Sequence, residues 1–284
     1  MILVTGATGT VGGAVAARLC GAGVAVRALT RDPSRAHLPD GVEVARGDLQ
    51  DRGTLTEPLD GVDRVFLVSV GDVASSDRNL VEAAKGTGVR HIVKLSVIGA
   101  QDRRHGMRSP ARGHVEGEVA IEDSGLAWTF LRPGTFMTNA LGWAESVRER
   151  DTVHAPFGHV PSAPIDPEDI AAVAVRALTE DGHHGRGYPL SGPEVLTPAE
   201  QVDRLASAIG RPLRFVPVPD EAIRQKMLGS GMPEEQVAAL FDDLGNPRGA
   251  ATVWPTVSEV TSAPPRAFDE WLADNLGAFM PRER

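Results

Sequence analysis

The sequence has little of what stabilises a secreted protein or inserts a protein into a membrane. Its 284 residues include a single cysteine, Cys20, which cannot form an intrachain disulfide. The longest apolar runs, such as Ile170 to Leu178 with Arg176 inside it, fall far short of the about 20 residues that a membrane span needs. The segment Ile2-Leu3-Val4 has no basic region and no cleavage site, so it predicts a strand rather than a signal peptide. These features predict a cytoplasmic protein.

Positive charge is also in short supply. The formal net charge is −9, whereas nucleic acids and anionic membranes attract proteins that carry a concentrated positive field. We therefore expect neither a nucleic-acid partner nor a membrane partner. Hydrophobic residues make up 42% of the chain and charged residues 24%, which is typical of a folded protein with a full core.

Short apolar runs alternate with helical patterns through the first half of the chain, and this predicts βα units with a doubly wound, parallel sheet of the Rossmann type. The predicted strands are Ile2 to Val4, Val24 to Leu29, Val42 to Ala45, Val65 to Val70, Ile92 to Ile98 and Leu126 to Leu131. The first predicted helix carries Val11, Val15 and Leu19 on one face. Further helices are predicted for Asn79 to Lys85, Pro198 to Ile209, Glu234 to Leu244, and Arg266 to Leu276.

The alternation breaks near residue 150, where proline-rich stretches begin. We expect residues 1–150 to form a dinucleotide-binding domain. Residues 151–284 then form a smaller, mostly helical lobe that contributes to substrate binding.

The strongest motif is a set of three glycines that follows the first strand and opens the first helix. Gly6 permits a tight turn, Gly9 lets the backbone approach a pyrophosphate, and Gly12 lets the helix pack against the strand. Free N–H groups at the helix start suit phosphate. The predicted cofactor contacts here are Gly6, Thr8, Gly9, Thr10, Val11 and Gly12. The alternative is an ordinary glycine-rich turn.

The end of the second strand decides the type of nucleotide, because an acidic residue there would bind the ribose of NAD and repel a 2′-phosphate. This strand ends in Thr30-Arg31 instead, and a guanidinium can grip a phosphate. The sequence thus favours NADP(H) over NAD(H), unless Arg31 only pairs with Asp32 at the surface. After the third strand, Asp48 and Leu49 are placed to meet the adenine, although Asp48 can equally cap a helix.

Several residues close later strands at the carboxyl edge, where ligands bind in open α/β sheets. Ser69 and Val70 close the fourth strand and Pro133 the sixth, and all three are predicted cofactor contacts. Ser96 follows the fifth strand and can bond to a substrate oxygen or the nicotinamide ribose. Each of these residues can instead be a simple turn residue, which is the favoured interpretation of Gly71.

Together the Thr5 to Gly12 run, Arg31-Asp32-Pro33, Gly47-Asp48-Leu49 and the Thr129 to Gly134 run with Phe136 and Asn139 resemble the NmrA-like, atypical short-chain dehydrogenase/reductase family. The resemblance extends through Leu190 to Glu194 and Pro264-Pro265-Arg266. It implies a Rossmann fold that binds NAD(P)H. Family members include quinone and azo-dye reductases, natural-product reductases, and regulators that sense the nucleotide without turning it over.

One departure concerns the proton donor. The wider superfamily uses a Tyr-x-x-x-Lys pair, but the single tyrosine here, Tyr188, is followed by Pro189, has no such lysine and sits in a context that resembles a strand of the second lobe. His114 and Glu118 stand at the corresponding helical spacing, and we expect Glu118 to favour the charged form of His114 as a proton donor. The alternative is a partly exposed helical histidine. His114 and Glu118 would supply only two ligands, which is too few for a metal site.

The apolar walls beside these strand ends suggest a flat, hydrophobic acceptor. Phe136, Met137, Trp143 and Phe157 are predicted to line a substrate pocket, although they can instead be core residues. Two functions follow. The favoured one is an NADPH-dependent reductase of a small, electron-poor quinone, enone or ketone. The other is a regulatory protein that senses NADP(H) and binds a protein partner.

Overall fold

The computed structural model describes residues 1–245 and 249–281. The strands are β1 Ile2–Thr5, β2 Val26–Thr30, β3 Glu43–Arg46, β4 Arg64–Leu67, β5 His91–Leu95, β6 Ala127–Pro133, β7 Thr152–Ala155, β8 Arg186–Leu190 and β9 Arg214–Pro217. Seven of them form one sheet in the order β3-β2-β1-β4-β5-β6-β8. Every neighbouring pair in this sheet is parallel. The predicted doubly wound α/β fold is confirmed.

Helices connect these strands. They are α1 Thr10–Gly21, α2 Val73–Ala84, α3 Arg103–Gly106, α4 Arg112–Glu122, α5 Ala144–Arg150, α6 Pro167–Thr179, α7 Pro198–Ile209, α8 Asp220–Gly229, α9 Glu234–Gly245, α10 Thr256–Thr261 and α11 Phe268–Asn275. No helix of the described ranges is both long enough and apolar enough to span a membrane. The sequence located α7 and α9 to within a residue, but it placed the start of α2 six residues too late, because polar residues dominate the first turns of that helix.

The sheet is buried on both faces, since successive side chains of a strand point to opposite sides. On β1, Ile2 and Val4 belong to a core formed with α1 and α6. Leu3, between them, belongs to a second core that includes Leu80 of α2 and Ile121 of α4. The near-continuous apolar character of these short strands follows from this double coverage.

The chain after residue 150 both extends the sheet and builds a separate cluster. β8 pairs with β6, with Tyr188 opposite Leu131, so the expectation that Tyr188 lies on a strand of the second lobe is wrong. α6 likewise packs on the main sheet. β7 and β9 pair with each other in a small parallel sheet. Around this sheet α5, α7 and α11 enclose a third core that includes Val153, Leu205 and Trp271. The domain division at residue 150 stays a prediction.

Candidate functional site

The glycine motif forms an open cradle between β1 and α1. Gly6 has a φ of +63°, which only glycine adopts without strain. A Cβ on Gly12 would lie 2.3 Å from the Gly6 carbonyl oxygen, so this position tolerates no side chain. Gly9 is the N-cap of α1, no side chain caps the helix, and its first turn holds no acidic residue. The backbone N–H groups that begin α1 thus suit a pyrophosphate, and the residues present fit a dinucleotide.

Thr5 holds this cradle against the end of β4. Its hydroxyl donates to the Val68 carbonyl oxygen at 2.9 Å, and the Val68 amide donates back to the hydroxyl at 2.7 Å. A Cβ on Gly6 would lie 3.0 Å from the Val68 Cβ. The sheet order reverses between β1 and β4, where open α/β sheets bind their ligands.

Arg31 lies directly after β2 at the same edge and is exposed. Its neighbour Asp32 accepts from both the amide and the hydroxyl of Ser34, and so caps the short 3-10 turn Pro33–Arg35. Within residues 1–245 and 249–281 no ion pair to Arg31 is found, so the proposed surface pair with Asp32 does not form. The Arg31 guanidinium is therefore available to bind an anionic group of a ligand.

Asp48 and Leu49 follow β3. The Asp48 carboxylate accepts from the Gln50 amide at 3.0 Å, an Asx turn rather than a helix cap. The Leu49 carbonyl oxygen accepts from the Asn79 amide group at 2.9 Å, which ties the turn to α2. One Asp48 carboxylate oxygen is thus bonded within the turn, and the adenine contact stays a prediction.

The residues that close β4 and β6 differ in exposure. Val70 is 77% exposed, which is unusual for valine and suits a residue that a nucleotide covers. Ser69 is buried, and its hydroxyl donates to Asp77 of α2. Asp77 in turn pairs with Lys94 of β5, with 2.6 Å between Oδ2 and Nζ, and both side chains are fully buried. Pro133, at the end of β6, is buried as well.

Ser96 belongs to a second buried polar network just after β5. Its hydroxyl donates to Glu118 Oε1 of α4 at 2.6 Å. Arg132 of β6 donates to both oxygens of the same carboxylate, at 3.0 and 2.6 Å. Gly187 leaves room for this guanidinium, because a Cβ there would lie 2.5 Å from Arg132 Nη1. The Ser96 proton is committed to Glu118, so this hydroxyl can only accept a bond from a ligand.

His114 lies on α4, one turn before Glu118. Burial and, secondarily, the charge of Lys94 lower its pKa to about 3. The expectation that Glu118 favours a charged His114 is therefore wrong, since Arg132 and Ser96 already occupy that carboxylate. A neutral imidazole is the form present near pH 7. Proton donation by His114 stays a prediction that its surroundings oppose.

A cavity of about 780 Å³ opens beside this edge, which is large enough for a small organic molecule. Val97 and Ile98, which follow Ser96, and Thr135, which follows β6, form its base. Its walls are mainly apolar, with a few polar groups between them. Trp143, Pro156, Phe157, Val160 and Leu240 supply apolar surface, and Gln101, His105, Asn139, Ser162 and Gln201 supply polar groups.

Two of the four predicted pocket residues line the cavity. Trp143 and Phe157 do so, and the Phe157 ring meets the Phe241 ring edge-on with centroids 5.5 Å apart. Met137 is fully buried in the third core, so its prediction as a pocket residue is wrong. Phe136 does not line the cavity: it is partly buried and packs against the first core, and its backbone pairs with Ile165.

Sequence reasoning missed several cavity residues. Leu240 sits on the predicted helix Glu234 to Leu244, but the pattern gave no indication that α9 reaches the cavity. Gln101, His105 and Gln201 are scattered through loops and helices without a spacing that marks a site. Within the described part of the chain no group of three metal-ligating side chains is found.

Comparisons with known proteins agree with this geometry. The NmrA-like family model matches residues 1–272. A (4-alkanoyl-5-oxo-2,5-dihydrofuran-3-yl)methyl phosphate reductase of Streptomyces griseus subsp. griseus is 45% identical over 99% of this chain and 100% of the relative. An NAD(P)H azoreductase of Xenophilus azovorans is 41% identical over 98% of this chain and 99% of the relative.

A solved structure is similar over the same extent. An NADPH-dependent quinone oxidoreductase of Escherichia coli, solved with NADPH, superposes with a TM-score of 0.81. It is 28% identical, and the match covers 97% of this chain and 100% of that one. The glycine cradle, the strand order and these full-length similarities place the chain in the NmrA-like family.

Proposed function

We propose that the protein is an NADPH-dependent reductase of small, apolar, electron-poor acceptors of the quinone, enone or ketone class. The observation that carries the proposal is a glycine cradle that shares one sheet edge with a largely apolar cavity of about 780 Å³. Bound NADPH supplies a hydride from its nicotinamide ring. The largely apolar walls of the cavity suit an apolar acceptor.

The relatives support this class of acceptor. Their names specify an unsaturated furanone that carries a methyl phosphate group, an azo compound and a quinone, all of which take up a hydride at an electron-poor centre. None of these acceptors requires a strong acid from the enzyme, which agrees with the missing Tyr-x-x-x-Lys pair. Arg31 supports NADPH over NADH. A reducing cytoplasm fits both NADPH and the free thiol of Cys20.

The test is NADPH consumption by the purified protein across a panel of quinones, furanones, enones and simple ketones. We expect turnover with conjugated acceptors and little with simple ketones. No consumption with any acceptor, together with nucleotide-dependent binding of a protein partner, would favour the nucleotide-sensing function instead.

A further inference from the structure

The two ring nitrogens of His114 lie in different surroundings. Nδ1 is buried and has no hydrogen-bond partner among the described residues. Nε2 is not enclosed in this way, and no described residue forms a hydrogen bond with it. Nε2 is therefore the nitrogen that open space reaches. A buried polar atom left without a partner costs free energy and calls for an explanation.

The position of His114 along α4 places it at the carboxyl edge of the sheet. α4 returns antiparallel to the strands, so its N-terminus lies at that edge. Glu118 meets Ser96 directly after β5, and His114 is four residues nearer to the N-terminus, a rise of about 6 Å along the helix. Ala111, one further turn away on the same face, lines the cavity. His114 thus lies between the Ser96 level and the cavity wall.

α4 packs closely on α2 beside His114. Gly117, which shares a face with His114, packs so closely on α2 that a Cβ there would lie 1.9 Å from Asp77 Oδ2. Asp77 holds the buried Lys94 ammonium, and the charge of Lys94 acts on His114. No described residue accepts a hydrogen bond from Nδ1, and the charge of Lys94 disfavours a positive charge on the ring. The neutral ring therefore carries its proton on Nε2.

Other charged groups on the elements around α4 do not reverse this assignment. Asp72, Asp77 and Arg78 lie on or beside α2, Lys94 on β5, Arg132 on β6, Asp102, Arg103 and His105 before α4, and Arg112, Glu116, Glu118 and Glu122 on α4 itself. Arg78 and Arg112 pair with Glu116, Arg103 pairs with Glu122, and Arg132 pairs with Glu118. The carboxylates that would stabilise a charged His114 are thus held by other partners.

We propose that His114 is a catalytic residue that acts as a neutral hydrogen-bond donor, with its Nε2–H directed at the carbonyl oxygen of the acceptor. This inference rests on the proposed function and names the group that polarises its substrate. In the proposed reduction the hydride would leave the dihydronicotinamide of NADPH, so that its C–H bond breaks and NADP⁺ remains, and a C–H bond would form at the electrophilic carbon of the acceptor. The electron pair of the conjugated system then moves onto the carbonyl oxygen. The Nε2–H stabilises that oxyanion, and water then supplies the proton that completes the reduction.

The tautomer can be measured without turnover. In the ¹⁵N-labelled protein, long-range ¹H–¹⁵N spectra report the protonation of both ring nitrogens, and the His114 signals are those absent from His114→Gln. We expect a neutral ring protonated on Nε2 that does not titrate between about pH 5 and pH 8. A charged ring at about pH 6, or a proton on Nδ1, would overturn the inference whether or not the protein is a reductase.

A matched pair of variants tests the catalytic part. Glutamine places an amide N–H near the position of Nε2, whereas leucine keeps the volume and removes the donor. With a conjugated ketone we expect His114→Leu to lower kcat roughly 100-fold, as loss of one oxyanion donor does. His114→Gln retains most of the activity, and both variants bind NADPH as the wild type does. Equal activity of the two variants would refute the role of His114 while leaving the reductase function intact.

Discussion

At the scale of single residues, the cradle depends on Gly12. We predict that Gly12→Ala weakens NADPH binding at least tenfold, because the added Cβ would displace the Gly6 carbonyl and with it the pyrophosphate site. Gly21→Ala is the control in the same helix, since its Cβ meets nothing within 4 Å. Alanine at position 21 has a higher helix propensity than glycine, and we expect it to leave NADPH binding unchanged. Fluorescence titration with NADPH distinguishes the two, and equal affinities would contradict this account of the cradle.

The proposed contact of Arg31 with the 2′-phosphate leads to a prediction about the choice of nucleotide. We expect Arg31→Ala to weaken NADPH binding by roughly 10- to 100-fold, since a charge-assisted hydrogen bond contributes about 1.5–3 kcal/mol. NADH has no 2′-phosphate, so its affinity stays the same. Arg214→Ala, an exposed arginine of β9, is the matched control. If both nucleotides weakened equally in Arg31→Ala, the proposed phosphate contact would be wrong.

At the scale of elements, α9 forms one wall of the cavity through Leu240, and Phe241 anchors this helix. The Phe241 ring packs edge-on against Phe157, and the Arg224 guanidinium of α8 lies 4.4 Å from its centroid. Apolar area contributed by α9 is therefore part of the cavity wall.

We predict that Leu240→Ala raises KM for an apolar acceptor about tenfold, because burying a leucine side chain is worth about 1.5–3 kcal/mol. The dissociation constant for NADPH stays unchanged, since the cradle lies at α1. Leu228→Ala on α8 is the control, a partly buried leucine that does not line the cavity. An unchanged KM in Leu240→Ala would show that α9 does not contribute to binding of the acceptor.

At the scale of the whole molecule, buried histidines make stability depend on pH. Burial lowers the pKa of His91 to about 4 and, with the charge of Lys94, that of His114 to about 3. His91 Nε2 lies 2.9 Å from Thr129 Oγ1, whose own proton goes to the His183 carbonyl oxygen, so a neutral His91 is the donor. Between pH 6.5 and these values the unfolded chain binds more protons than the folded one, and acid removes stability.

We predict that the free energy of unfolding falls by several kcal/mol between about pH 6.5 and pH 4, at about 1.4 kcal/mol for each unit of pKa difference. Asp169 opposes part of this loss, because burial raises its pKa to about 6 and acid relieves that cost. His91→Gln keeps a hydrogen-bond donor for Thr129 and makes the free energy of unfolding depend less on pH. Urea unfolding at several pH values measures the free energy of unfolding. A free energy of unfolding that increases as the pH is lowered from about 6.5 to 4 would contradict the neutral state of these buried histidines.

The sequence predicted the strands of the first half of the chain well. Local apolar runs sufficed for β1 to β6, and the glycine spacing located the cradle. Tyr188 was misplaced because β8 returns to the sheet after an excursion of about 50 residues that no local pattern records.

The candidate site was harder to predict for the same reason. The neutral state of His114 depends on its burial and on the charge of Lys94, which lies on β5, and neither can be predicted from the spacing along α4. Met137 was predicted as a pocket residue from its residue type alone, but it packs into the third core, which residues of α5, α7 and α11 complete.

The reductase function is tested most directly by following a labelled hydride. NADPH that carries deuterium at the transferring position of the nicotinamide is incubated with the protein and a conjugated furanone or quinone, and the products are analysed by mass spectrometry. We predict one deuterium in the reduced furanone, on the carbon that accepts the hydride, and equal amounts of NADP⁺ and product. NADPH that stays intact, or a furanone product without deuterium, would contradict direct hydride transfer in this cavity.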